Sequence, residues 1–418
     1  MTDAAISVAQ PGPLAGVTVV ELASELGAPA AKMLGDLGAD VIVVEPPGGA
    51  VTRGYGPFVD DVPDGDRSLF WWYYNTSKRS VVLDLDDAGD QERFRNLVAE
   101  ADVVIEGERP GRLAGLGLSY DDLAAGLPRL IWTTVTSHGS LSARSNDPST
   151  DLTILAGGGP VWSCGYDDHS LPPVRGGGNQ AAHTASLWAV EGLLAALLWR
   201  DSSGRGQHVD VSAHAAVNVT TEAATYEWLV ARATVQRQTA RHAGVHPSLP
   251  THARGIDGRY VNTGVPPRTA REFQALLDLL DELALLEGFH EAVFLERGIE
   301  KGEISFADIV EDSEVAAIFA AGRSAMELIA MHLPSYEFFV RMQGAGMASA
   351  AMVAPDEVIR DRHFVERGFP VEVDHDDIGR IVVYPGAPFL AQGSPWRIAR
   401  RPPRLGEHQE EILGEGPP

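Results

Sequence analysis

The stretch "LAGVTVVELASELGAPAAKMLGDLGADVIVVEPPGG", residues 14–49, decides the fold class. Residues 17–21 are apolar and β-branched, which predicts a buried strand. Pro29 suits the first turn of a helix, and Gly38 is placed to end it. "ADVIVVE" (39–45) predicts a second strand, which the following "PPGG" interrupts. A strand, a helix and a strand in this order form the repeating unit of a parallel sheet.

The same alternation continues towards the middle of the chain. Further strands are predicted at 78–85, 101–107, 130–137 and 208–212, with helices at 87–101 and 183–200. After about residue 215 the pattern becomes mainly helical, with helices predicted at 270–298 and 306–333 and a hairpin at 257–265. Strand-like sequence returns at 369–385. The sequence therefore predicts an α/β fold with a large domain over 1–225, a small α+β domain over 226–350, and a return to the large domain over 351–418.

Composition excludes several classes of function. The 33 basic and 58 acidic residues give a net charge of −25, which argues against a nucleic-acid partner. The single Cys164 rules out an internal disulfide and favours a reducing, cytoplasmic location. Residues 1–12 lack the features of a signal peptide, and the apolar stretch 187–199 is interrupted by Glu191. We therefore expect neither export nor a membrane span.

The common cofactor motifs are absent. The first strand–helix turn contains Gly27 alone and no G-x-G-x-x-G, so no nicotinamide cofactor is expected. No phosphate-binding loop, no G-x-S-x-G and no H-E-x-x-H occurs. The 13 histidines do not form a spaced set with carboxylates or the lone cysteine, so no metal is expected.

Seven segments in sequence order resemble the family III CoA-transferases, which include formyl-CoA transferase, carnitine CoA-transferase and α-methylacyl-CoA racemase. They lie at 13–49, 75–85, 108–123, 203–212 ("SGRGQHVDVS"), 246–261, 360–389 and 403–413. The resemblance implies a Rossmann-like large domain built from both chain ends and a small domain built from the middle. It also implies two subunits that interlock as rings, with an acyl-CoA and a carboxylic acid as substrates.

Family chemistry depends on one aspartate at the start of the helix before "GRGQHVDVS". That carboxylate attacks the acyl-CoA thioester and forms a mixed anhydride, which the released CoA thiolate then converts to an enzyme thioester. The anchors "PVR" (173–175) and "LWA" (187–189) place this position on Ala182 without a gap. A methyl group can perform none of these steps. In the racemase branch, which uses a histidine and an aspartate, the histidine position falls on Thr150 and the aspartate position again on Ala182.

Several nearby residues could replace the missing group. His183 is adjacent, as a base or as a capping or core residue, and Asp151 matches an acid common in the family, for which we expect a structural role. Glu191 lies nine residues along the helix, ~13 Å away, and is better explained as a buried structural or interface acid. Asp167 and Asp168 lie in "GYDDHSLPP", where a turn role is expected.

Part of the CoA-binding pattern is retained. Lys78 and Arg79 match the basic pair of the family, and Arg109 matches the arginine of its N-F-R-P-G motif. The asparagine and phenylalanine of that motif are replaced by Gly107 and Glu108. The resemblance implies CoA contacts for the three basic residues, and a solvated surface is the alternative.

Three functions remain open from the sequence. The first is acyl-CoA:carboxylate CoA transfer, either alone or as the subunit without aspartate in a heterodimer with an aspartate-bearing homologue; a homodimer is the other assembly. The second is a non-catalytic acyl-CoA-binding protein. The third is an acyl-CoA racemase or lyase that uses His183 as its base.

Overall fold

The computed structural model describes residues 11–414, which divide into two compact units. Among the described residues, unit 1 comprises 11–162, 174–232 and 359–414, and unit 2 comprises 163–173 and 233–358. The predicted boundaries at 225 and 350 thus lie seven and eight residues before these divisions, and the excursion of 163–173 into unit 2 was not predicted. Residues 1–10, most of the segment judged to lack a signal peptide, lie outside the described residues.

Eleven strands form three sheets within residues 11–414. They are β1 (Thr18–Leu22), β2 (Asp40–Glu45), β3 (Lys78–Val82), β4 (Val103–Glu106), β5 (Ile131–Thr136), β6 (His208–Ser212), β7 (His252–Arg254), β8 (Tyr260–Asn262), β9 (Ala350–Ala351), β10 (Pro370–His375) and β11 (Arg380–Pro385). The first six form one sheet in the order β3-β2-β1-β4-β5-β6, and every neighbouring pair is parallel. The predicted α/β fold with a parallel sheet is confirmed.

Seventeen α-helical segments occur in the same described range. They are α1 (Ala28–Asp36), α2 (Leu69–Tyr74), α3 (Ala88–Glu100), α4 (Arg112–Gly115), α5 (Tyr120–Leu123), α6 (Asp151–Gly158), α7 (Gln180–Ser203), α8 (Ala213–Val219), α9 (Glu222–Ala231), α10 (Ala270–Glu282), α11 (Ala292–Lys301), α12 (Phe306–Glu311), α13 (Ser313–His332), α14 (Ser335–Gly344), α15 (Pro355–Val358), α16 (Arg362–Glu366) and α17 (Gln409–Leu413). Pro29 lies in the first turn of α1, as predicted. Gly38 follows that helix with φ +101°, a conformation that favours glycine.

The six-stranded sheet of unit 1 is covered on both faces. One face packs against α1 and α7 through a core that includes Val19, Leu34, Ala185 and Leu193. The other face packs against α3, with Phe94 among its fully buried residues. A sheet buried on both faces explains why its strands have continuous apolar sequences rather than alternating ones.

The strand order reverses between β1 and β4, and the turns that follow these two strands meet closely. A Cβ on Gly107, just after β4, would lie 2.7 Å from Oγ of Ser24, just after β1. Only glycine fits this close approach. In parallel α/β sheets, ligands bind in the crevice that forms at the carboxyl ends of the strands at such a reversal.

Two smaller sheets complete the described residues. In unit 1, β10 and β11 form an antiparallel hairpin within the segment 369–385 that was predicted to be strand-like. In unit 2, β8 pairs with β7 and with β9, both antiparallel. The core of unit 2 is mainly helical and includes Phe273, Ile318 and Phe338. The predicted helical character of this part of the chain is confirmed.

Helix α7 is longer than the sequence predicted, and the helix predicted at 306–333 is divided into α12 and α13. Helices α7 and α13 have the length and apolar composition that could cross a membrane, whereas no membrane span was expected because Glu191 interrupts the apolar stretch 187–199. The prediction of 183–200 missed three residues at each end of α7, which has 24 residues. Each helix packs one face into the core of its own unit, α7 through Ala185 and Leu193 and α13 through Ile318.

Candidate functional site

The start of α7 lies at the carboxyl ends of the parallel strands. Ser186 in its second turn donates a hydrogen bond to the carbonyl oxygen of Leu26, in the turn after β1, at 2.8 Å. At the other end of the helix, Arg200 donates to Asp102, just before β4, at 2.9 Å. Helix α7 therefore runs antiparallel to the strands, and its first turn faces the crevice at the reversal of strand order.

Ala182 occupies this first turn and is buried, with 3% of its surface exposed. Residues four apart lie on the same face of a helix, so Ala182 shares the face of Ser186 that contacts the turn after β1. The position assigned to the catalytic aspartate of the family is thus inside unit 1, next to the crevice. It carries a methyl group and no nucleophile.

Asp151, the first residue of α6, supplies a carboxylate to the start of α7. Its Oδ1 accepts a hydrogen bond from the backbone N–H of Ala181 at 2.8 Å, and its Oδ2 lies 2.9 Å from Nη1 of Arg175. The acid therefore caps α7 from another helix, where negative charge is favoured. Oδ1 accepts a hydrogen bond, whereas Oδ2 has only the ion-pair contact with Arg175. The capping contact is that of a structural carboxylate, and a catalytic role for Asp151 stays a prediction.

His183 pairs with a tyrosine that the sequence analysis did not single out. Its Nε2 lies 2.9 Å from the hydroxyl of Tyr74, at the end of α2. Burial raises the pKa of Tyr74 to about 12, and the neighbouring Tyr73 adds to this effect. Burial also lowers the pKa of His183, against the opposing influence of Asp151. Both groups are therefore neutral at pH 7, and the Tyr74 O–H can donate to Nε2 of the imidazole.

Glu25 is a second carboxylate at this site that sequence reasoning missed. It lies in the turn between β1 and α1, and its Oε2 accepts a hydrogen bond from the hydroxyl of Tyr55 at 3.3 Å. Its charge contributes to the raised pKa of Tyr74, as does that of Asp151. The available signal was its position in the first strand–helix turn, where ligands of such sheets bind. Glu25 and Asp151 therefore supply acids near the start of α7, although Ala182 replaces the aspartate expected there.

Lys78 is enclosed rather than presented to a ligand. Its ammonium lies 2.7 Å from Oε2 of Glu21 and donates to the carbonyl of Ala28 at 3.1 Å and to Oδ1 of Asn75 at 2.9 Å. Both Lys78 and Glu21 are fully buried. The ammonium donates two hydrogen bonds and forms an ion pair with Glu21, so contact with CoA would require this ion pair to open.

Arg79 and Arg109 remain closer to solvent. Arg79 pairs with Asp40 and with Glu411, at 2.8 Å for the second pair. Arg109 is exposed, donates from Nε to Asn146 at 2.9 Å, and lines a cavity of ≈ 220 Å³ beside Tyr120. The CoA contacts predicted for both arginines stay predictions. The cavity beside Arg109 offers space for such a contact.

The remaining acids fall into ordinary structural roles. Asp168 accepts hydrogen bonds from the N–H and hydroxyl of Ser170 at 2.9 and 2.6 Å, the turn role expected for it. Glu191 is exposed on α7, so it is not a buried structural acid of this chain, and the alternative role as an interface acid stays a prediction. Among residues 11–414 no group of three or more histidine, cysteine or acidic side chains could hold a metal ion.

Thr150, the residue at the histidine position of the racemase branch, caps α6. Its hydroxyl accepts from the N–H of Thr153, and the Thr153 hydroxyl accepts from the N–H of Thr150 at 2.8 Å. Asp151 is the next residue after this reciprocal capping box. Thr150 therefore helps to fix the position of the acid that caps α7.

Known proteins match the chain over almost its whole length. The model of CoA-transferase family III matches residues 14–409. Succinyl-CoA:(R)-benzylsuccinate CoA-transferase subunit BbsE of Thauera aromatica is 33% identical over 95% of this chain and 92% of its own. The succinyl-CoA–L-malate CoA-transferase beta subunit of Chloroflexus aurantiacus is 28% identical over 96% of this chain and 94% of its own. The crystal structure of a CAIB/BAIF family protein from Brucella suis superposes with a TM-score of 0.77 at 25% identity, over 97% of this chain and 99% of that one.

Proposed function

This chain belongs to CoA-transferase family III, and from that premise we propose that it is the subunit without the catalytic aspartate in a heteromeric acyl-CoA:carboxylate CoA-transferase. The observation that carries the proposal is Ala182, a buried methyl group in the first turn of α7. The proposed partner is a homologue of this chain with aspartate at the matching position.

The chemistry explains why such a partner is needed. In family III transfer, a carboxylate oxygen attacks the thioester carbonyl, and the C–S bond breaks to release CoA as a thiolate. The thiolate then attacks the mixed anhydride, which frees the donor acid and leaves CoA bound to the enzyme as a thioester. The acceptor acid reverses both steps. Alanine offers no oxygen for the first attack.

The relatives support both the assembly and the substrate class. The Thauera and Chloroflexus proteins are each named as a subunit, and each is named for succinyl-CoA. Their named acceptors, benzylsuccinate and malate, carry two carboxylates each, as succinate does. We therefore include in the proposal that this enzyme transfers CoA between dicarboxylic acids, in the cytoplasm.

Exposed apolar side chains on unit 1 favour a close association with a second subunit, which includes the interlocked-ring dimer that the family resemblance implies. Leu198 and Trp199 on α7 are 74% and 57% exposed, and Leu229 and Val230 on α9 are 61% and 85% exposed. Large exposed apolar groups of this kind mark interaction surfaces. Their burial against a partner would remove them from water.

The test is co-expression of the chain with an aspartate-bearing homologue encoded beside it. Native mass spectrometry reports the assembly, and transfer of CoA from succinyl-CoA to a second dicarboxylic acid reports activity. We expect a heteromer that turns over and a pure chain that does not. Full turnover by the pure chain would refute the subunit role, and loss of that turnover in Glu25→Gln or Asp151→Asn would then identify the acid used.

A second function rests on the hydrogen bond between Tyr74 and His183. In the tautomer whose Nε2–H donates to the Tyr74 oxygen, Nδ1 of the neutral imidazole can accept a proton, which is the step that an acyl-CoA racemase or lyase needs at the α-carbon. Exchange of α-protons of an acyl-CoA with deuterated water measures this directly. Exchange by the pure chain that His183→Gln abolishes would support it, and wild-type protein without exchange would remove it.

A further inference from the structure

A cavity in unit 2 contains arginines that have more hydrogen-bond donors than the structure has acceptors for them. The cavity, which we call the arginine pocket, has a volume of ≈ 390 Å³ and is lined by Arg237, Arg241, Asp167, His169, Gln236 and Ser248 among others. Its volume lies within the range of small-molecule sites in proteins. All its lining residues belong to unit 2.

Arg241 is the central cation of the pocket. Its side chain is 5% exposed, with Nε donating to Oε1 of Gln238 at 3.0 Å and Nη2 paired with Asp167. Its Nη1 is buried and has no acceptor among the described residues. A buried guanidinium N–H group that lacks an acceptor is strongly disfavoured, so this nitrogen indicates a missing partner.

A second buried arginine adds positive charge beside the first. Arg323, on α13, is 8% exposed, and its Nη1 donates to the carbonyl of Pro250, which also lines the pocket. Its Nε is likewise buried without an acceptor in the described residues. Burial lowers its pKa, Glu327 opposes that effect, and the charge of Arg241 adds to the lowering. The positive charge of Arg241 therefore acts on Arg323.

The backbone around the pocket is held in place before any ligand arrives. The Oε1 of Gln238, a residue only 5% exposed, accepts from the N–H and hydroxyl of Ser248 at 2.9 and 2.7 Å as well as from Arg241. Arg237 donates from Nη2 to the carbonyls of His169 and Leu171 at 3.2 and 2.7 Å. Fixed guanidinium groups bind an anion with little loss of conformational entropy.

We propose that the arginine pocket binds a small dicarboxylic acid, one carboxylate of which binds to Arg241. Arg237 is a second cation within the same cavity. Guanidinium groups suit carboxylates because their paired N–H donors match the two oxygens. The choice of a dicarboxylic acid rests on the proposed function, whereas the need for a hydrogen-bond acceptor rests on the unmet donors alone. The chain as a whole has a net charge of −25, which does not attract anions. An anion is therefore attracted only by the local positive charge of this cavity.

Calorimetric titration of the pure full-length chain with succinate tests the proposal without a partner subunit or turnover. We expect one site per chain, with succinate binding more tightly than acetate. Arg241→Gln should weaken succinate binding by about 10- to 100-fold, since it removes a charged hydrogen-bond donor. Arg271→Gln is the matched control, because Arg271 is an exposed arginine on α10 of the same unit, and it should change nothing.

Three results would overturn the proposal. They are no succinate binding by the folded wild type, binding that Arg241→Gln leaves unchanged, and tighter binding of inorganic phosphate or CoA that displaces succinate. The last result would assign the pocket to phosphate groups. Should Arg241→Gln fail to fold, Arg237→Gln takes its place, with the same expected loss. Succinate binding is measured without turnover. If the chain proves active without a partner subunit, the binding result still stands, and if succinate does not bind, the proposed subunit role still stands.

Discussion

Replacing Ala182 with aspartate tests whether the start of α7 keeps the geometry that family III chemistry requires. Ala182 is 3% exposed, so the introduced carboxylate loses most of its contact with water. Burying a polar group without a hydrogen bond costs about 1–3 kcal/mol, and an unpaired ionised carboxylate costs more, whereas negative charge in the first turn of a helix recovers about 0.3–1 kcal/mol. We expect a net loss of about 1–2 kcal/mol in unfolding free energy and a protein that still folds.

The neighbours of Ala182 set this balance. The carboxylate of Asp151 caps the adjacent N–H and repels a new negative charge, whereas Arg175, 2.9 Å from Asp151, offsets part of that repulsion. The first turn of a helix also has backbone N–H groups without helical partners, which can bind the new carboxylate or a developing oxyanion. The site therefore has the donors that a nucleophilic aspartate needs.

The assay is incubation of Ala182→Asp with succinyl-CoA, trapping with hydroxylamine, and mass spectrometry of the peptide that contains residue 182. We expect a hydroxamate at that position in the variant and none in the wild type. Thr184→Asp is the control, because two residues further along α7 a side chain points roughly 200° around the helix. A folded Ala182→Asp protein that binds CoA and forms no adduct would refute the reasoning, since the site would then have diverged beyond one residue.

Three further results are expected. Lys78→Met should lower the unfolding free energy by about 3–5 kcal/mol in urea denaturation, because it leaves Glu21 buried and unpaired. Adding Glu21→Gln should restore most of that loss. Additive losses in the double variant would contradict this expectation. Because burial lowers the pKa of His183, the folded chain binds fewer protons than the unfolded chain just below about pH 6.5, so stability falls on acidification. His183→Gln should flatten that slope between about pH 5 and 7, and an unchanged slope would be evidence against it. Gly107→Ala should lower stability by about 1–3 kcal/mol, since a Cβ there would lie 2.7 Å from Oγ of Ser24, and an unchanged melting temperature would show that the turns separate easily.

Periodicity predicted the large parallel sheet because its strands are buried on both faces. Residues 39–45, for example, are almost all apolar, and β2 occupies Asp40–Glu45 with five of its six residues buried. The start of α7 was harder to locate, because its first residues are small and carry no apolar periodicity. The excursion of 163–173 into unit 2 depends on contacts such as that between Arg237 and Leu171, which are 66 residues apart in sequence.

The site was predictable in position and not in its details. Spacing between two anchors placed the family aspartate on Ala182, and the structure puts that residue in the first turn of a helix at the carboxyl ends of the strands. The pairing of His183 with Tyr74 joins residues 109 apart, and no local pattern reveals it. Likewise, the family resemblance implied a CoA contact for Lys78, but its charge is paired with Glu21 inside the sheet.

The central claim, that catalysis needs an aspartate this chain does not have, is tested most directly by CoA transfer in four reconstituted complexes. This chain, as wild type or Ala182→Asp, is combined with a partner homologue that keeps its aspartate or carries alanine there. The account predicts transfer in every complex with at least one aspartate and none when both subunits have alanine. Transfer by the complex without either aspartate, at a rate similar to the others, would contradict it.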